Sequence, residues 1–133
     1  MEAVLPQFEV HAAWSLLAAH AMAFAYEFWR ATAKVGVSQH DSLKVFVRQG
    51  LATYAVAGVI IASLFARLAW APIAALVFSV CIVLVSIFYY NPKIMLERQP
   101  GLIDWIEDLV FTGLHFVATA QLSYALAVRQ LQF

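Results

Sequence analysis

Leu68–Pro92 reads LAWAPIAALVFSVCIVLVSIFYYNP, without one Asp, Glu, Lys or Arg. A helix needs roughly 20 predominantly apolar residues to cross a hydrocarbon core of about 30 Å, and this stretch exceeds that length. Working outward, three more runs lack strong charge: Gln49–Ala66, Leu109–Val128 and Val10–Tyr26. The chain has 133 residues, 64% hydrophobic and 12% charged, against about 25% charged in a soluble domain. Helices apolar all round belong in lipid or deep inside a much larger protein. The expected fold is all-α: one domain of four transmembrane helices in an up-and-down bundle, with spans near 10–33, 49–70, 72–90 and 103–128.

The runs are punctuated by local signals. Ser38-Gln39-His40-Asp41 matches a capping box, and Leu43, Phe46 and Val47 follow at helical spacing. This predicts a short amphipathic surface helix between spans 1 and 2, continuous with span 2. Ala71-Pro72 reads as a tight turn with Pro72 in the first turn of span 3. Asn91-Pro92 reads as the end of that span, and Pro100-Gly101 reverses the chain into span 4. Span 1 lacks a basic n-region, and Glu2 and Glu9 precede it, so it reads as an uncleaved span rather than a signal peptide.

Lysine and arginine orient the bundle. Arg30, Lys34, Lys44 and Arg48 lie in the first connection and Lys93 and Arg98 in the third, whereas only Arg67 and Arg129 lie on the opposite side. The positive-inside rule places both connections in the cytoplasm and both termini outside, on the periplasmic side of a bacterial inner membrane. Trp14, Trp70 and Tyr124 fall at the outer ends of spans. Tyr26, Trp29, Tyr54, Tyr89, Tyr90 and Trp105 fall at the inner ends, the two belts where an apolar ring with a polar tip is best placed. Arg67 is expected to snorkel to the outer headgroups.

Span 4 carries the most ordered polar pattern. Asp104, Asp108, Thr112, His115, Thr119 and Ser123 occupy an arc of about 100° on a helix. A polar stripe in a membrane helix must face protein or water. It reads either as a packing face or, with Glu27, as an ion or proton path through Asp104, Asp108, Thr112 and Thr119. His20 and His115 lie about 15 Å and about 20 Å below the outer edges of spans 1 and 4, a depth at which two histidines can hold a b-type haem, a quinone or a pigment. Glu27 is expected to pair with Arg30, three residues on. Gly58, Ala62 and Ala66 in span 2, and Ala19 with Ala23 in span 1, form small-residue rows that permit close helix approach, with packing inside the unit the preferred reading.

Nothing in the chain names a reaction. The single cysteine, Cys81, allows no internal disulfide, and no zinc, nucleotide or nucleophile motif occurs. No catalytic or metal residue is assigned, and zero net charge gives no support for nucleic-acid binding. The preferred function is non-catalytic: a small membrane subunit packing against partner membrane chains or itself. Two alternatives remain open, an electron-transfer subunit holding haem or quinone on His20 and His115, and a homo-oligomeric channel or transporter lined by the span 4 stripe.

Overall fold

The computed structural model describes residues 4–131; Glu2 and the chain ends therefore lie outside the described residues. Four long helices account for almost all of them. Helix α1 covers Val4–Thr32, α2 Leu43–Phe65, α3 Ala71–Arg98 and α4 Leu102–Leu131. The last three are each long and apolar enough to cross a membrane. Helix α1 packs against α4 and α2, and α3 against α4 and α2. The neighbours close a ring in chain order, as short connections between antiparallel helices require.

Helices α1 and α4 run antiparallel and side by side over their whole length. Arg129 Nη2 pairs with Glu9 Oε1 at 2.6 Å at one end, and Tyr26 donates to Asp104 at the other. Their seam is built of small residues: Ala12, Ala13, Ala19, Ala118 and Ala125 are buried. Because lipid tails are as apolar as leucine, close backbone approach of this kind is what holds membrane helices together. Leu16, Leu64 and Leu122, all fully buried, fill the half of the bundle away from the basic connections.

The boundaries differ from the sequence reading in three places. The helical lead-in runs straight into α2 but begins at Leu43, after the segment read as its capping box. Ser38 instead folds back into a turn, accepting from His40 N at 3.1 Å and donating to Asp41 Oδ2 at 2.8 Å. The helix cap is Ser42, whose hydroxyl accepts from Val45 N. The loop before it turns at Gly36, φ 86°, with Gly36 N bonded to Asp41 O. Second, α2 stops at Phe65, short of Trp70. Arg67 takes the left-handed conformation, φ 58°, and Leu68 N reaches back to Ser63 O, a reversal that ends helices by satisfying their last carbonyls.

The third difference matters most for function. Asn91-Pro92 does not end α3. Proline lacks an N–H, and its ring collides with the carbonyl four residues back in an α-helix. Here the helix widens over Ser86–Met95 into π winding, in which Leu96 N bonds Asn91 O, five residues earlier. The clash is relieved and the helix continues through a last tight turn to Arg98. At 28 residues α3 is roughly 42 Å long, so its final turns stand beyond a hydrocarbon core and bring Arg98 back over the bundle end.

Candidate functional site: a polar chamber inside the bundle

The basic end of the bundle is organised by two buried guanidinium groups. Arg30 (2% exposed) grips Asp41 (1% exposed) with both branches of its fork, Nε to Oδ1 at 3.0 Å and Nη2 to Oδ2 at 2.6 Å. Its Nη1 lies 3.4 Å from Asp104 Oδ1, and Nη2 also reaches the Arg98 carbonyl at 3.1 Å. Arg98 grips Glu27 in the same way, Nη2 to Oε2 at 2.7 Å and Nη1 to Oε1 at 3.0 Å. Its Nε is 3.2 Å from Asp41 Oδ1, and its Nη1 contacts the Tyr90 hydroxyl at 2.8 Å. Planar, bidentate recognition of this kind is what arginine offers and lysine does not.

Glu27 therefore pairs with Arg98 from α3, not with Arg30 on its own helix. Arg30 points instead to the connecting loop and to α4. Asp104 is held as a structural group: besides Tyr26 and Arg30, it accepts from Gly101 N at 2.7 Å, which closes the first turn of α4 in the manner of a capping box. It is not free to carry an ion. Outside this network, Glu97 on the exposed last turn of α3 accepts from Gln39 Nε2 at 2.8 Å and contacts His40 Nε2 at 2.6 Å. Those two partners hold its carboxyl below the usual carboxylate range.

Two hollows that share Glu27, Tyr54 and Tyr90 as walls lie beside the network. A cleft of about 350 Å³ opens between the connecting loop, α2 and the end of α3, walled by Phe46, Tyr54, Tyr89 and Tyr90, with Glu27 and Arg98 on its floor. A chamber of about 150 Å³ continues inward between α1, α3 and α4, lined by Glu27, Tyr54, Tyr90, Glu107 and Asp108 and ending at His20. Asp108 is 9% exposed. Among the described residues no basic group pairs with Glu107 or Asp108.

At the inner end His20 and His115 meet. Their Nε2 atoms are 3.0 Å apart and their rings stand nearly perpendicular, at 82°. With both rings neutral, one Nε2–H donates and the other Nε2 accepts, so a single proton lies between the two nitrogens. Phe78 and Phe111 pack against the pair. His115 Nδ1 and Thr112 Oγ1 are buried without a hydrogen-bond partner. Thr119 donates to the carbonyl of His115 at 2.8 Å and so contributes nothing polar to the chamber.

Of the residues singled out by sequence, His20, Glu27 and Asp108 line one interior chamber, His115 contacts His20 at its end, and Thr112 lies one turn before His115 on α4. Asp104 and Thr119 lie outside the chamber lining, Asp104 engaged by Tyr26, Arg30 and Gly101 and Thr119 by the His115 carbonyl. The cofactor readings do not fit the geometry. A transition metal bonded to both imidazoles would hold their nitrogens roughly 4 Å apart, whereas here the two Nε2 atoms are in direct contact at 3.0 Å. The chamber at the pair is also below the roughly 300 Å³ at which pockets take a drug-sized ring system. Asp104, Asp108 and His115 of the stripe are buried within one chain and so face the interior of this bundle. Ser123 drifts off the face and is exposed: intervals of four residues advance 40° past each full turn, while the true seam runs on through Ala118, Leu122 and Ala125.

Tyr54, Tyr90, Arg98 and Glu107 complete the site and were not singled out for it by sequence. Tyr26, Tyr54 and Tyr90 sit at belt height yet turn inward, whereas Trp14, Trp70, Tyr89, Trp105 and Tyr124 are exposed as a belt residue should be. No protein-family model matches the chain, and no curated protein or solved structure matches it significantly. Function is therefore read from the geometry alone.

Proposed function

We propose that this chain is a four-span membrane protein of transporter type that moves protons through the interior of its bundle. Helix α1 lies alongside the whole of α4, so a bilayer crossed by α4 is crossed by α1 too. The exposed Lys34, Lys44, Arg48 and Lys93 share one end, which the positive-inside rule assigns to the cytoplasm. The cleft and chamber then open to the cytoplasm and stop at the His20–His115 pair. Beyond it the bundle is dry, closed by the seam of Leu16, Leu64, Ala118 and Leu122.

The observation that carries this reading is the histidine pair at the blind end of a carboxylate-lined chamber. Ionisable side chains inside a membrane are costly and mark ion pathways or proton relays. Asp108, Thr112 and His115 step along one face of α4 over about 10 Å, and an imidazole that has taken up a second proton can pass its Nε2 proton to the neutral partner ring 3.0 Å away, itself returning to neutral. A one-sided chamber with a dry half beyond it is the geometry of alternating access rather than of an open pore.

The test is proton flux into liposomes holding the purified protein, driven by an imposed potential and read with an enclosed pH dye. Flux above protein-free vesicles is expected, with Asp108→Asn and His115→Leu each lowering it on the order of tenfold or more. Flux equal to that of empty vesicles, or unchanged in both variants, would sink the proposal.

A second reading, a subunit that packs against partner membrane chains or itself, has one observation in its favour. Gly58, Ala62 and Ala66 are exposed on the outside of α2 and do not pack within the unit, contrary to the preferred reading of that row, whereas Ala19 and Ala23 are buried as expected. A Cβ added at Gly58 would meet nothing. If a second helix covers this row, Gly58→Leu shifts the protein from a larger species to the monomer on a native gel. An unchanged species would dispose of the row as a contact.

A further inference from the structure

The cleft at the cytoplasmic mouth is more than a vestibule. We propose that it binds an organic ammonium cation, held between the rings of Phe46, Tyr54 and Tyr89 above Glu27, the carboxylate that the cleft shares with the chamber of Glu107 and Asp108. The site would supply a second, organic substrate exchanged against the protons of the transport reading above and rests on that reading for movement, while binding itself can be measured without transport.

Shape and chemistry both favour such an occupant. At about 350 Å³ the cleft is in the size range of small-molecule pockets. Its walls are aromatic from two helices: Phe46 and Tyr54 of α2 have ring centroids 6.3 Å apart, and Tyr89 and Tyr90 of α3 face the same space. The negative faces of such rings attract cations, most strongly where water is excluded. One ring already does so, because the Arg98 guanidinium carbon lies 5.8 Å from the Tyr90 centroid. Gly50 keeps the space open. Any Cβ there would approach the Tyr54 ring to 3.2 Å and displace one wall.

Charge decides the sign of the ligand. Three carboxyl groups line the cleft and chamber, Glu27, Glu107 and Asp108, against one guanidinium group, Arg98. Of the other basic residues at this end, Arg30 is held by Asp41 and Asp104, His40 in the cleft wall contacts Glu97, and Lys34, Lys44, Arg48 and Lys93 are exposed. Nor can Arg98 receive an anion, since both of its Nη atoms already engage Glu27 and its Nε lies beside Asp41. An excess of negative groups behind aromatic walls suits a cation that is apolar at its surface, where methyl or methylene groups spread the charge. A metal ion would need oxygen ligands that these walls do not supply.

The probe is benzyltrimethylammonium, titrated by calorimetry into the full-length protein in neutral detergent, with benzyl alcohol and benzenesulfonate as neutral and anionic counterparts. Saturable binding of the cation is expected at one site per chain, at least about tenfold tighter than either counterpart. Tyr54→Leu and Tyr89→Leu should each weaken it about fivefold, corresponding to one lost ring face. Glu27→Gln should weaken it more, and because that variant also disturbs Arg98, the two tyrosine variants decide if it fails to fold. Equal binding of the neutral probe would reduce the cleft to an apolar groove. Binding of the sulfonate, or cation binding that survives both tyrosine variants, would overturn the site. Proton flux without cation binding removes this inference alone, and cation binding without flux removes the transport reading alone.

Discussion

Replacing Arg30 by leucine is expected to destabilise the bundle by about 3–5 kcal/mol, the cost of leaving buried charge without its partner. Asp41 would lose a two-branched grip of 2.6 and 3.0 Å, and Asp104 its only guanidinium. Both acids are buried, so water cannot replace the lost partner without opening the end of the bundle. The damage would reach beyond one pair, since Arg30 also bonds the Arg98 carbonyl that ends α3. Arg30→Lys should fall between the two, retaining charge but not the fork. The check is the unfolding midpoint in detergent against increasing denaturant or temperature. A leucine variant within 1 kcal/mol of the parent would mean that the network is solvated, and the site would need rebuilding around free carboxylates.

Leu16→Ala is the second large effect, on the order of 2–5 kcal/mol by analogy with leucine truncation in packed cores. Leu16 is fully buried among Ala12, Ala13, Ala118 and Leu122. Alanines cannot stretch to fill the space, and the close helix contact they create prevents collapse onto it. In lipid the loss is one of packing, because transfer from water contributes little to helix association there. The same change has a functional signature. Leu16 belongs to the dry half that closes the chamber, so the void should raise passive proton leak in liposomes while lowering the unfolding midpoint. A midpoint unchanged from the parent would show that the seam repacks, and unchanged leak would show that closure lies elsewhere.

The membrane character and helical class are legible in the four uncharged runs because the bilayer constrains composition directly: spanning residues must be apolar over a set length. The depth of His20 and His115 followed equally from counting residues at a fixed rise. Their pairing at 3.0 Å did not, because sequence gives depth but not the rotation of one helix against another. Polar periodicity on α4 located Asp108 and His115, yet it also enlisted Ser123 and Thr119, since spacing by fours drifts around a straight helix. Glu27 was assigned its nearest cation in sequence. In space its partner is Arg98, which the sequence reading stranded beyond a helix break at Pro92.

What the chain determines by itself is therefore local or one-dimensional: which segments are apolar, how long they are, and at what depth each polar group rides. The tertiary structure alone decided which tyrosines turn inward, which small-residue row faces outward, and which acids are spoken for. The π winding at Pro92 shows why. A backbone rule that normally ends a helix was met by widening it, and only packing against α4 and the connecting loop decides which outcome is lower in free energy. That single choice carries Arg98 onto Glu27, floors the cleft, and leaves Glu107 and Asp108 facing the chamber without a cation.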